Sequence, residues 1–281
     1  MFTLLLVALS AALAQDPESV DWQKQQADKA EKPKSNLSIE IGGSYTSGNS
    51  VAITAYGLIT AGHKWDSNQI GLEAKGAFGS NIPDANGDGK LDASERAAGL
   101  EANTQRVGGK LRYDRLLTDK DSLYVLAGGF HDPFSGFGYR LHEQIGYSRK
   151  LVDAKRTVGE GDAAKDFKTQ LVAELGIDYA QEHYIPGVDP IFAQFIAGRA
   201  QIAFTHEFNE NASISEQIEA YENFFTPDDL RLYNTIALSA KINATLSLKV
   251  SHDLSYYNRP PDPDLKKLDQ TVLVTLVASL I

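Results

Sequence analysis

The sequence predicts an all-β protein: a closed antiparallel transmembrane β-barrel of about twelve strands, with an EF-hand-like loop inserted between strands 3 and 4. Three observations carry this reading. An apolar, export-type segment opens the chain, period-two alternation runs through the rest, and aromatic residues gather at both ends of the apolar faces.

Residues 1–14, MFTLLLVALSAALA, end in the small-x-small pattern of a cleavable signal peptide and are too short to span a bilayer as a helix. No Lys or Arg precedes the apolar run, a departure from the usual signal. Residues 15–35 carry mixed charges and two prolines and read as a solvated periplasmic leader. Beyond them no apolar run is long enough for a transmembrane helix. The chain has no Cys, so no disulfide scaffold supports it. Its net charge of −10 disfavours nucleic acid as a partner and suits divalent cations better.

From Asn36 onward one barrel domain, 36–281, is expected. Val107, Gly109, Leu111 and Tyr113 alternate with Gly108, Lys110, Arg112 and Asp114. Leu246, Leu248 and Val250 alternate with Ser247, Lys249 and Ser251 in the same way. Such alternation makes one strand face apolar and the other polar. Strands are predicted at 36–46, 51–65, 68–80, 104–117, 122–131, 138–150, 169–181, 191–208, 212–224, 231–243, 245–257 and 269–281. Short connections such as Asp66–Ser67 and Asn209–Asn211 alternate with longer ones at 81–103, 132–137, 182–190, 225–230 and 258–268. That is the pattern of short periplasmic turns and longer external loops in the outer membrane of a Gram-negative-type bacterium.

Aromatic placement separates this barrel from a soluble β-sandwich. Tyr45, Phe78, Tyr139, Tyr179, Phe224 and Tyr256 fall at the external ends of the apolar faces, and Trp65, Tyr113, Tyr147 and Phe204 at the periplasmic ends. These are two girdles at the bilayer–water boundaries. Closure follows from the lipid, which leaves no sheet edge unpaired, so strand 12 is expected to bond to strand 1. The apolar faces would then meet outer-membrane lipid.

The polar faces carry Glu40, Glu73, Lys75, Lys110, Arg112, Asp114, Arg140, His142, Glu174, Asp178, Arg199, Lys241 and Lys249, which are predicted to line the lumen. They fit either a water-filled path or an interior closed by cross-strand ion pairs, such as Glu73 and Lys75 against Lys110 and Arg112. Glu143 and Glu216 interrupt the apolar faces, marking strand ends or a shifted register.

The residues Gly42-Gly43-Ser44-Tyr45-Thr46-Ser47-Gly48-Asn49-Ser50 and the closing run Thr271–Leu280 resemble the opening hairpin and last strand of the salt-induced outer membrane protein (YdiY-like) family. The resemblance implies an outer-membrane barrel with no catalytic residues to carry over. Two departures are the end at Leu280-Ile281, where such barrels usually end in an aromatic residue, and the insert 81–103.

That insert holds Asp84-Ala85-Asn86-Gly87-Asp88-Gly89-Lys90-Leu91-Asp92-Ala93-Ser94-Glu95, which satisfies D-x-[DN]-x-[DN]-G-x5-E. Asp84, Asn86 and Asp88 would give side-chain oxygens to Ca2+, Lys90 its carbonyl, Asp92 a direct or water-mediated contact, and Glu95 two oxygens. Pro83 and Gly79 leave no room for an entering helix, whereas 93–102 could form the exiting one. A half-hand of this kind implies a structural site of ~0.1–1 mM affinity on the external side, able to bridge to anionic head groups.

No Gly-x-Ser-x-Gly, H-E-x-x-H or cysteine nucleophile is present, so no enzyme is predicted. His131-Asp132 and His183 with Asp189, beside external loops, are the residual acid–base candidates of a surface hydrolase. Residues 152–168 are long for a periplasmic turn and offer contact with a periplasmic partner. Two function classes stand: a small porin-like channel with a surface calcium loop, or a non-conducting structural or surface-binding envelope protein.

Overall fold

The computed structural model describes residues 34–46, 51–86, 90–159, 164–188, 190–261 and 265–280. Twelve strands form one closed antiparallel sheet in which each strand pairs with its chain neighbours and β12 pairs with β1. They are β1 Lys34–Thr46, β2 Ala52–Trp65, β3 Asn68–Asn81, β4 Glu101–Leu116, β5 Asp121–Asp132, β6 Phe137–Val158, β7 Lys165–Tyr184, β8 Phe192–Glu207, β9 Ala212–Asn223, β10 Leu230–Lys241, β11 Leu246–Tyr257 and β12 Leu268–Ser279. A short helix, α1, Ala93–Ala98, lies between β3 and β4. The predicted signal peptide falls outside the described residues, as does the leader up to residue 33; Lys34 and Ser35 already belong to β1.

Alternation decides which side each residue faces, and the barrel turns the usual soluble arrangement inside out. Ile41, Ile145 and Leu175 on outer faces are 61–67 % exposed, whereas Arg199, Glu174 and Asp178 inside are at most 2 % exposed. An exposed apolar wall around a charged interior belongs in lipid, where closure leaves no backbone group wanting. All ten girdle aromatics lie on outer faces, and Tyr139 stacks on outward His183 with ring centroids 5.0 Å apart. Glu143 and Glu216 keep the outward register. Glu143 lies well inside β6, exposed between Ala127 and Tyr179, and Glu216 accepts from Asn234 Nδ2 at 3.3 Å. Neither marks a strand end.

The expected long periplasmic turn at 152–168 is instead mostly strand. Register continues past the barrel rim from Val152↔Leu171 to Val158↔Lys165, so β6 and β7 leave the wall as a two-stranded hairpin. The sequence hides this because 151–159 is exposed on both faces and carries no alternation to read. The hairpin leans on the β8–β9 turn, where Arg156 Nη2 donates to the Phe208 carbonyl at 2.9 Å and Lys165 pairs with Glu210. Helix α1 is likewise shorter than expected: Gly99, at φ 87°, ends it, and β4 begins at Glu101.

Candidate functional site within the barrel lumen

The lumen has two unlike sides. On the β4–β9 side, register sets Tyr124, Gly146, Gly176 and Arg199 in one row across four strands. Two glycines in that row leave room for the Tyr124 ring to lie across them; a Cβ on Gly176 would fall 2.5 Å from its hydroxyl. Arg199 Nη1 donates to that hydroxyl at 2.7 Å and to Glu174 at 2.8 Å, while its Nε donates to Glu219. Arg112 grips Glu174 and Asp114, each at 2.8 Å, with its guanidinium 4.1 Å from the Tyr124 ring centroid. Glu174 is thus held between arginines from β4 and β8, the pairing a buried charge needs.

Nearer the external end, Arg231 bonds Asp229 at 2.9 Å and also Glu182, and Arg140 lies 3.4 Å from Glu182. Around them Phe130, Phe137, Tyr184, Phe195, Tyr221, Tyr233 and Tyr257 form a buried cluster, with Tyr233 donating to the Tyr257 hydroxyl at 2.9 Å. Arg106 lies 4.4 Å from the Phe130 centroid and Arg231 5.0 Å from that of Phe195. This side is packed like a protein core.

The wall formed by β1, β2, β11 and β12 carries many small residues among its inward positions, beside larger ones such as Leu58 and Lys64. Its inward positions include Ser38, Gly42, Thr54, Thr60, Ser247, Ser251, Ser255, Thr271 and Thr275. Here Lys249 Nζ donates to both Glu40 oxygens, at 2.8 and 2.9 Å, and the Thr275 hydroxyl to the same carboxylate at 3.4 Å. Asp253 accepts from Thr235 at 2.8 Å. A cavity of about 630 Å³ opens at the periplasmic end of this wall, between Ser38, Ser247 and Lys249 on one bank and Lys165 and Glu210 on the other. Outside the membrane-spanning strands, Lys165 holds the Glu210 carboxyl below its ordinary value through a hydrogen bond and its charge.

Of the residues predicted to face the lumen, Glu40, Glu73, Lys75, Lys110, Arg112, Asp114, Arg140, Glu174, Asp178, Arg199 and Lys249 do so, as does His142, 3.4 Å from Asp178. Lys241 is exposed at the vestibule rim. The expected pairing was partly different. Glu73 stands opposite Lys110 in register, but Arg112 reaches across the lumen to Glu174 rather than to Glu73. Glu182, Glu219, Arg231 and the inward tyrosines escaped sequence reading. Parity along each strand would have found them: Tyr256 faces out and Tyr257 in.

In the loop insert, Asp92 is the N-cap of α1 and Glu95 closes a reciprocal capping box, with Glu95 N donating to Asp92 and Asp92 N to Glu95, both at 2.9 Å. Glu95 Oε1 also accepts from Ala85 N at 2.9 Å and Asn86 N at 3.3 Å, drawing the start of the loop to its end. Leu91 packs inward, and Asp84, Asn86 and Lys90 are exposed. Asp88 lies outside the described residues, and among those described no three acidic or imidazole side chains converge. Ser94 first, then the Glu95 N–H, hold the Asp92 carboxyl below its usual value.

The first acid–base pair is not brought together. His131 faces outward and bonds the Gly138 carbonyl at 2.5 Å, whereas Asp132 faces inward, caps Ser135 and lies 3.7 Å from Arg106. Successive strand residues point to opposite faces, which separates them. His183 faces outward, and Asp189 is outside the described residues.

A family model described as "Protein of unknown function, DUF481" matches residues 39–280. No curated protein matches the sequence. Among solved structures, the chain is similar to the NanC porin, at 14 % identity and a TM-score of 0.48 over 87 % of this chain and 100 % of that one. It is also similar to an outer membrane channel from Pseudomonas putida F1, at 11 % identity and a TM-score of 0.45 over 95 % and 100 % of the two chains.

Proposed function

The chain belongs to the DUF481 family and is a β-barrel of the outer membrane, and from that premise we propose that it is a narrow channel for small polar solutes. The observation that carries this reading is the asymmetry of the lumen. A hydroxyl-lined wall opens into a 630 Å³ vestibule beside a side that is packed shut. The conduit we propose follows β1, β2, β11 and β12 past the Glu40–Lys249 pair. Planar-bilayer recording tests it: reproducible single-channel steps are expected, with Lys249→Gln shifting selectivity toward cations at least twofold by leaving Glu40 uncompensated. A silent bilayer at high protein concentration would favour the non-conducting envelope protein.

A second reading concerns the external insert, Asp84–Glu95. The capping box and the Glu95 contacts to Ala85 and Asn86 support it, because they bend the chain into the closed turn that a twelve-residue calcium loop requires. Asp84, Asn86, Asp88, Lys90, Asp92 and Glu95 would hold the ion, with the site next to anionic head groups. Calorimetric titration of the intact barrel with Ca2+ should give a Kd of ~0.1–1 mM, lost in Glu95→Gln. No heat in the wild type would remove the site.

A further inference from the structure

The outer face of β9–β12 carries polar side chains at a depth that belongs to hydrocarbon. Its surroundings are aliphatic: Ile218, Leu238, Val250 and Val274 face outward and are 40–55 % exposed. Among them Glu216 accepts from Asn234 Nδ2 at 3.3 Å, and the His252 ring meets Gln270 Oε1 at 3.1 Å. All four point outward by the alternation of their strands. One register row runs through Phe204, Glu216, Ile236 and His252 across β8 to β11. It starts at a periplasmic girdle residue and reaches His252 four residues, about 13 Å along the strand, short of Tyr256 in the external girdle. His252 and Asn234 therefore lie well inside an apolar band about 25 Å tall. Glu216 has the periplasmic interface within reach, yet its carboxylate leans the other way, toward Asn234 deeper in the wall. Glu143 differs: it stands in register with Tyr179 of the external girdle, where an outward charge costs least.

Polar side chains at this depth give up hydration that lipid tails do not replace, so such a patch is costly unless protein covers it. The patch is self-complementary about β10. Glu216 and His252 flank Ile236 in the register row, one on each side, at about 5 Å per strand. Two copies that cross the membrane in the same sense can be related by a two-fold axis along the membrane normal, which brings the same surface of each together at equal depth. With that axis on β10, the Glu216 flank of each barrel faces the His252 flank of the other, and Asn234 faces its own counterpart. The row rises toward the external end in strand order, so His252 lies nearer that end than Glu216. The lean of the Glu216 carboxylate toward Asn234 reduces the difference. We propose that the outer face of β9–β11 is an isologous interface for a second copy of this barrel. Across it the imidazole of His252 donates to the carboxylate of Glu216, twice, and the aliphatic residues around both pairs keep lipid away. Each barrel retains its own lumen, so the dimer does not depend on what the lumen conducts.

The test uses the intact barrel in phosphatidylethanolamine–phosphatidylglycerol vesicles, with the fold of every variant checked by its heat-induced gel shift. Ile236→Cys places a thiol on the proposed axis, and Leu72→Cys places one on the outer face of β3, away from it; the chain has no other Cys to interfere. Copper–phenanthroline oxidation is expected to trap covalent dimer at least tenfold faster from Ile236→Cys than from Leu72→Cys. Adding Glu216→Leu or His252→Leu to Ile236→Cys should slow the trapping at least fivefold. Exchanging the two, Glu216→His with His252→Glu, should restore it, a rescue that a merely structural role would not give. Glu143→Leu, on the β6 face, should leave the rate unchanged. Equal trapping at the two cysteines, or trapping indifferent to both leucine variants, overturns the dimer and leaves the patch facing lipid alone. An exchange that fails to restore trapping overturns the Glu216–His252 contact.

Discussion

The two sides of this lumen are built from the same alternating strands, yet one is a core and the other a wall. On the β4–β9 side, arginines from different strands share carboxylates, and aromatic rings fill the space between them. On the β1, β2, β11, β12 side, serine and threonine project too little to meet across the interior, and a cavity remains. A twelve-stranded barrel is wider than side chains fill by default. It is closed only where long residues are spent on closing it. The comparison teaches that stability and permeability can be assigned to different strands of one sheet.

The largest effect should come from Arg199. Its guanidinium serves Tyr124, Glu174, Glu219 and Gln201 at once, and nothing else on β8 could neutralise the two glutamates. Arg199→Met leaves buried charge behind and should cost about 3–5 kcal/mol, measured by urea unfolding in micelles or as a lower temperature for the heat-induced gel shift. A change below about 1 kcal/mol would mean that the network is solvated and that the two sides are not different in kind.

Next comes the glycine row beneath Tyr124. Gly146→Ala puts a methyl where the tyrosine hydroxyl sits, and the ring cannot rise without losing its arginine contacts. Overpacking of this sort should cost about 1–3 kcal/mol by the same unfolding assay. Ser247→Trp at the vestibule is the counterpart: it faces the cavity and should leave stability within about 0.5 kcal/mol while reducing single-channel conductance severalfold. If Gly146→Ala were neutral and Ser247→Trp destabilising, the packed and hollow assignments would have to be exchanged.

Strand number, order and facing were legible because lipid enforces the alternation more strictly than a soluble core does. Val107–Asp114 and Leu246–Ser251 show their two sides in the letters alone. The division of the lumen was not legible. Which arginine meets which glutamate depends on chord distances across the barrel, and the Arg112–Glu174 contact joins residues with β5 and β6 between their strands. The β6–β7 hairpin escaped for the opposite reason: outside the bilayer neither face is buried, so no periodicity survives to be read.

The smallest predicted effect lies where the hairpin meets the hollow side. Lys165 on β7 and Glu210 in the β8–β9 turn form an exposed pair on the bank of the vestibule. The lysine lowers the Glu210 carboxyl below its ordinary 4.5, so the folded state favours the ionised form. The pair's contribution is therefore complete above that value and is lost as pH falls through the lowered one, with no change expected between pH 6 and 8. Amide protection factors of residues 154–158 and 165–168, with the intrinsic pH dependence of exchange divided out, should fall below about pH 4 in the wild type and be already low, and flat with pH, in Glu210→Gln. Protection that fell instead on going from pH 6 to 8 would show that a different group anchors the hairpin. The vestibule would then owe its shape to the bond from the Arg156 guanidinium to the Phe208 carbonyl rather than to this charge pair.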